Sequence, residues 1–160
     1  MRTYSSVTAV APASYLIDKH PAAFINSLLE GAADVRGKAA RLALFRLALA
    51  VAERNCPRLV GAALQRLAAE CLAREKLALL ARAYNLASAG RKRPALFSFL
   101  CADYGKALAA AGRFTEAVAV WRAGLDFDEQ QRGSLQNHGM YQTDAECLIV
   151  GAAESAGIDT

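Results

Sequence analysis

The sequence predicts an all-α fold of three stacked antiparallel helix hairpins, followed by a C-terminal capping helix. Ala and Leu dominate the 160 residues and only four prolines interrupt them, a composition that favours helix. Apolar residues recur at three- and four-residue spacing between Pro and Gly positions, and nothing indicates strands. A chain of this length can bury one core, so residues 13–160 are predicted as a single domain after a flexible segment, 1–12.

Proline and glycine positions divide the chain into the three hairpins. The predicted helix pairs are 21–35 with 38–54, 57–71 with 75–89, and 94–111 with a helix from 114 to at least 127. Gly37 and Gly112 are predicted to turn the chain within their hairpins, and Gly90 to end its helix in a left-handed cap.

The C-terminal part begins with a polar stretch, 130–143, which contains two glycines and is predicted as a loop. Thr143 and Glu146 then form a capping box for a last helix that ends at Gly157. This helix would shield the exposed end of the third hairpin.

A shift of 37 residues superposes side chains of matching size in the three hairpins. The superposed sets are Leu47 with Tyr84 and Trp121, Ala43 with Leu80 and Ala117, and Ala50 with Ala87 and Gly124. Self-similarity at a fixed period is typical of stacked helical repeats. The first hairpin keeps the pattern only if its first helix is moved by one residue.

The stretch from Ser98 to Glu129 resembles a tetratricopeptide repeat. The residues that match the family pattern are Cys101, Tyr104, Gly105 and Leu108 on the first helix and Ala117, Trp121, Gly124 and Leu125 on the second. A glycine at Gly105 would let the helices approach closely, while Trp121 fills the space toward a neighbouring repeat. The departures are Cys101 in place of a large aromatic residue, Glu129 in place of a proline, and a period of 37 where the family has about 34.

This resemblance implies a right-handed superhelical array whose first helices line a concave groove. By position, the groove residues would be Asn26, Leu29 and Arg36 from the first hairpin, Gln65, Arg66 and Leu72 from the second, and Phe99, Asp103 and Lys106 from the third. Small alanines, such as Ala69 and Ala102, lie between them. A small apolar groove with a few basic and amide groups suits an extended or helical peptide of some acidic character.

Charge is distributed unevenly along the chain. Residues 1–113 carry 17 Lys and Arg against 7 Asp and Glu, a net charge of +10, whereas residues 114–160 carry 2 against 8, a net charge of −6. The basic part raises nucleic acid as an alternative partner. The arginines, however, are spread over several helix faces, and neither a helix-turn-helix pattern nor exposed aromatic residues for base stacking are evident.

No catalytic residues, metal ligands or cofactor site are predicted. The cysteines (Cys56, Cys71, Cys101 and Cys147) lack the spacing of metal ligands and are interpreted as buried, reduced thiols.

His20 and His138 are interpreted as helix-capping or exposed residues. Asp126, Asp128 and Glu129 lack the alternating ligands of a calcium loop and are interpreted as a solvated acidic helix end.

The leading hypothesis is therefore a non-enzymatic cytoplasmic adaptor, scaffold or chaperone that holds a peptide segment of another protein. The length of the chain and its three predicted hairpins also look like those of small bacterial chaperones that guard secretion substrates.

Arg or Lys interrupts every apolar run before it is long enough to span a bilayer, so no membrane partner is expected. Leu44, Phe45, Leu47 and Leu49 make one helix apolar on more than one side, which leaves self-association open.

Overall fold

The structure is a computed structural model that describes residues 13–134, 149–151 and 153–157. This part of the chain is helical without any strand, so the predicted all-α class is confirmed. Its helices are α1 (Ala13–Lys19), α2 (Pro21–Ala33), α3 (Lys38–Asn55), α4 (Val60–Glu70), α5 (Ala73–Ala89), α6 (Phe97–Ala110) and α7 (Phe114–Ser134). A 3₁₀ turn, Pro57–Leu59, precedes α4, and residues 149–151 and 153–155 are also helical.

The predicted turns at Gly37 and Gly112 are confirmed. Both residues have positive φ angles, 107° and 78°, which glycine adopts without the steric cost that other residues incur. The left-handed cap predicted at Gly90 is wrong, because Gly90 is extended, with φ −75° and ψ 151°. Residues 90–92 form bends after α5, and Gly90 itself does not adopt the left-handed conformation.

Two other boundaries differ from the prediction. α6 begins at Phe97 rather than at Pro94, since a turn in which the Phe97 N–H donates to the Pro94 carbonyl oxygen (3.0 Å) comes first. α7 continues to Ser134, so the loop predicted from Gln130 is wrong over its first five residues. α1, which buries no residue, was not predicted at all.

The end of the last helix agrees with the prediction. The Gly157 N–H donates to the Glu154 carbonyl oxygen at 2.9 Å, and Gly157 has a φ angle of 68°. The predicted capping box of Thr143 and Glu146 and the flexible segment 1–12 lie outside the described residues.

The chain divides into two compact units, Met1–Val60 and Gly61–Thr160. The prediction of one domain over residues 13–160 stays a prediction. In the first unit, α2 packs against α3, and α1 contacts both helices. The buried side chains of α2 and α3 are Ile25, Leu29, Ala32, Phe45, Ala48, Val51 and Ala52.

In the second unit, α6 packs against both α7 and α5. Its larger buried side chains are Leu64, Leu67, Leu80, Phe97, Leu100, Tyr104, Leu108, Val120, Trp121, Phe127 and Ile149. Trp121 is only 2% exposed, which confirms its predicted place in the core.

The predicted burial of the cysteines is confirmed for Cys56 and Cys101, whereas Cys71 is half-buried. None of these three cysteines forms a disulfide. Cys147 lies outside the described residues. No described helix combines the length and the apolar character needed to cross a membrane.

Candidate functional site

The contact between α6 and α7 depends on a glycine. A Cβ atom added to Gly105 would lie 2.0 Å from Trp121 Nε1 and 2.5 Å from Trp121 Cδ1, distances that no side chain can adopt. The indole ring therefore occupies the space above the α6 backbone. This confirms the predicted close approach of the two helices at Gly105.

A second close contact lies further along the same pair of helices. A Cβ atom added to Gly124 of α7 would lie 2.8 Å from Cys101 Cβ on α6. Burial raises the pKa of Cys101 to about 12, although the positive charge of Arg93 lowers it and the charge of Asp128 raises it further. The thiol stays protonated at neutral pH and is not a nucleophile.

The opposite side of α6 is more exposed. Asp103 and Lys106, three residues apart on the helix, are both exposed, and Phe99 is half-buried. The buried neighbours of these residues, Leu100, Cys101 and Tyr104, face the core of the unit. These three positions thus lie outside the buried face of α6.

Residues of α4, α5 and α6 together line a cavity of about 190 Å³, which we call the α4–α6 cavity. Its lining consists of Gln65, Ala68, Ala69, Lys76, Leu80 and Asp103. Gln65 and Asp103 were both predicted as groove residues, and Ala69 as a small residue between them. The structure brings these positions together from separate helices.

The electrostatics of this cavity centre on Asp103. Partial burial raises the pKa of the Asp103 carboxyl, while the positive charges of Lys106 and Lys76 act in the opposite direction. The carboxyl is therefore less well solvated than an open surface carboxylate. Such a group can accept a hydrogen bond from a ligand at a smaller desolvation cost.

The other predicted groove residues of the second unit lie outside this cavity. Arg66 and Lys106 are exposed, and Leu72, the residue before α5, is 77% exposed. Lys106 lines a different cavity of about 480 Å³, together with Phe114 and Ser155.

In the first unit, the predicted positions have mixed surroundings. Asn26 and Arg36 are exposed, whereas Leu29 is only 6% exposed. Leu29 lies between Ile25 and Ala32 on the face of α2 that is buried, at helical spacing. Its side chain therefore belongs to the core and is not accessible to a ligand.

Sequence reasoning did not find a second, basic concavity where α5 connects to α6. It is lined by Ser88, Gly90, Arg91, Lys92, Arg93, Ala95, Phe127, Gln130 and Gln131. The run of three basic residues was visible in the sequence. The other wall of this concavity could not be recognised in the sequence, because residues 130 and 131 were predicted to lie in a loop. They in fact belong to α7.

One interpretation of the acidic residues on α7 is wrong. Asp128 is not solvated: it is 5% exposed, and its Oδ1 atom accepts a hydrogen bond from the hydroxyl of the equally buried Ser98. His20 is exposed at the residue before α2 and makes no capping hydrogen bond with its side chain. His138 lies outside the described residues.

No group of three potential metal ligands occurs among the residues placed by the structure. Known proteins add no further assignment to either cavity. Comparison of the chain with protein-family models, with curated proteins and with solved structures found no match.

Proposed function

We propose that this chain is a non-enzymatic protein–protein interaction module, an adaptor, scaffold or chaperone, that binds a peptide segment of its partner. The observation that carries this proposal is the α4–α6 cavity, in which Gln65 and Asp103 meet on the helices predicted to line a groove. All three lining helices contribute buried side chains to the second unit, such as Leu64, Leu80 and Leu100, so the backbone around the cavity is in place before a ligand arrives.

The dimensions of the cavity indicate what it would hold. At about 190 Å³ it is smaller than the sites of most small-molecule ligands, which occupy roughly 300–1,000 Å³. It suits one side chain of a peptide. Ala68, Ala69 and Leu80 would contact an apolar stem, while Gln65 and Asp103 would bind a polar tip.

The finer prediction, a tetratricopeptide-like superhelical array with a C-terminal capping helix, is part of this proposal. Its support is the packing of Trp121 on Gly105, which pairs a large with a small residue at two positions of the repeat pattern. A cytoplasmic location and an acidic partner are further expectations of the proposal.

Affinity capture from a native lysate at two salt concentrations, with and without nuclease, tests this function. The variants Arg66→Glu and Lys106→Glu reverse exposed charges that flank the predicted groove. Arg58→Glu reverses an exposed charge on the 3₁₀ turn before α4 and is the matched control. We expect the chain to capture a protein partner that stays bound after nuclease treatment and at higher salt. Both groove variants should lose this partner, and the control should retain it.

Two outcomes would refute the proposal. If the two groove variants capture the partner as well as the control does, the groove is assigned to the wrong residues. If recovery disappears on nuclease treatment, the alternative holds, in which the basic part of the chain binds nucleic acid.

A further inference from the structure

The basic concavity between α5 and α6 forms a site separate from the α4–α6 cavity. It has a volume of about 670 Å³, and we call it the basic cleft. One wall is the connection that contains Arg91, Lys92 and Arg93; the other is the last part of α7, with Gln130 and Gln131. Phe127, also on α7, lines the cleft and is buried.

One basic side chain of the cleft, Arg93, packs against a cluster of aromatic residues. The guanidinium carbon of Arg93 lies 4.7 Å from the centre of the Phe97 ring, a cation–π contact. Phe97 is fully buried, with its ring centre 5.8 Å from that of Tyr84 and 5.4 Å from that of Phe127. A planar guanidinium is therefore positioned over a buried aromatic cluster, and this contact reduces the freedom that it would lose on binding a ligand.

The positive charges of the basic cleft are not balanced by a carboxylate among its described lining residues. Arg91, Lys92 and Arg93 are exposed, and none of them forms an ion pair within the part of the chain that the structure describes. No described lining residue carries a carboxylate; the polar partners are Ser88 and the two glutamines. Asp128 is buried with Ser98 and does not line the cleft. Three adjacent cations with amide and hydroxyl donors make a site for an oxyanion.

We propose that the basic cleft binds a phosphate monoester. Such a group carries a charge of about −1.5 to −2 and three strong acceptor oxygens, which match two guanidinium groups and one ammonium group. The volume of the cleft exceeds that of a phosphate and leaves room for the group that carries it. This site is independent of the peptide site proposed above.

The surroundings favour one phosphate over the backbone of a nucleic acid. The neighbouring side of α7 carries Asp126 and Glu129, which line another cavity of about 340 Å³ with Arg122 as its one basic residue, so its lining is net negative. A polyanion extending along α7 would meet these carboxylates, and like charges at close range repel. A single phosphate monoester that stays within the cleft avoids them.

A titration of the ¹⁵N-labelled full chain, followed by NMR at constant ionic strength, tests the proposal. The probes are inorganic phosphate and phosphoserine capped at both ends, and capped serine is the blank. We expect saturable shifts of the amide signals of residues 90–93 and of the side-chain amides of Gln130 and Gln131. Tighter binding of capped phosphoserine would indicate a protein-borne phosphate, and tighter binding of inorganic phosphate a free phosphate compound; either supports the site.

The double variant Arg91→Gln/Lys92→Gln should weaken binding of both probes by roughly tenfold or more, because two charge-assisted hydrogen-bonding groups are lost. Lys38→Gln/Arg58→Gln removes the same number of exposed charges from the first unit and should change affinity by less than about twofold. All four positions are exposed, so the folds should persist; unchanged signals outside the cleft verify this.

Either of two results would overturn the proposal. Equal weakening in both double variants, or shifts that never saturate, would mean that the probes only screen charge. Tighter binding of a single-stranded oligonucleotide of about ten nucleotides than of capped phosphoserine, with the same signals shifted, would assign the cleft to nucleic acid.

Discussion

The helix pair α2/α3 and the helix pair α6/α7 use their glycines and large apolar side chains in different ways. Gly105 of α6 lies directly against Trp121, whereas a Cβ atom added to Gly31 of α2 would meet nothing within 4 Å. Trp121 is 2% exposed, but Leu47, which the 37-residue shift aligns with it, is 45% exposed. Matching positions in a sequence repeat therefore do not guarantee matching places in the packing.

The burial pattern of α3 shows where the alignment fails. Ala48 and Val51 are buried and Leu44 is half-buried, whereas the shift predicted Ala43, Leu47 and Ala50 at these places. The buried face of α3 is thus displaced by one residue, a rotation of about 100° about the helix axis. In the second unit, by contrast, the pattern paired Gly105 with Trp121, and these two residues lie directly against each other.

Truncation of the two aligned residues should give the largest contrast. Trp121→Ala should destabilise the chain by about 3–5 kcal/mol, because it leaves a cavity in the core. Leu47→Ala removes an exposed side chain and should cost about 0.5 kcal/mol or less. Urea denaturation followed by far-UV circular dichroism measures both. Similar losses in the two variants would mean that Leu47 is buried in solution and that the two units are equivalent after all.

Adding one methyl group to each glycine should produce effects of opposite sign. Gly105→Ala forces a Cβ atom into the indole and should destabilise the chain by about 1–3 kcal/mol. Gly31→Ala meets no neighbour and should stabilise by about 0.5–1 kcal/mol, since alanine is the better helix former.

A double-variant cycle sharpens this test. Replacing Trp121 with leucine frees space above α6, so Gly105→Ala should cost less in the Trp121→Leu background than in the native chain. Additive effects, as expected for residues without contact, would contradict the packing of Trp121 on Gly105.

The fold class and most helix ends could be predicted from the sequence because they depend on local signals. Proline at the start of α2 and glycines with positive φ angles at Gly37 and Gly112 act within one turn of the chain. The end of α7 could not be predicted, because residues 130–134 look polar and continue the helix without a local signal. α1 was missed for a related reason, since none of its residues is buried.

The binding positions were predicted unevenly because burial depends on contacts distant in sequence. Gln65 and Asp103 were assigned to the groove through the repeat pattern, and both line one cavity. Leu29 was assigned to the groove through the same pattern, but it is buried in the first unit. The basic cleft required knowledge that α7 extends to Gln130 and Gln131, which only the tertiary structure supplies.

The smallest expected effect on stability is that of the Asp103 carboxyl. Asp103 lines a cavity, whereas the groove positions Asn26 and Arg36 of the first unit are exposed. Since its pKa is raised by partial burial, the folded state holds the proton more tightly than the unfolded state does. The contribution of Asp103 to stability is therefore fully present below its unfolded pKa and is lost as the pH rises through its folded pKa. Because the side chain is partly exposed, solvent screening keeps this contribution small.

The lysines around Asp103 provide the test. Lys76→Gln and Lys106→Gln each remove a positive charge that lowers the pKa of Asp103, so both variants should raise it further, while Arg58→Gln should leave it unchanged. An NMR titration of the Asp103 carboxyl measures these pKa values directly, and Asp103→Asn should weaken the pH dependence of the urea midpoint in the acidic range. In the Lys76→Gln/Lys106→Gln double variant neither lysine can lower the pKa, so a value at or below the ordinary one for aspartate would there show that the carboxyl is fully solvated. The α4–α6 cavity would then be as open as the exposed surface around Asn26, and the contrast between the two units would rest on core packing alone.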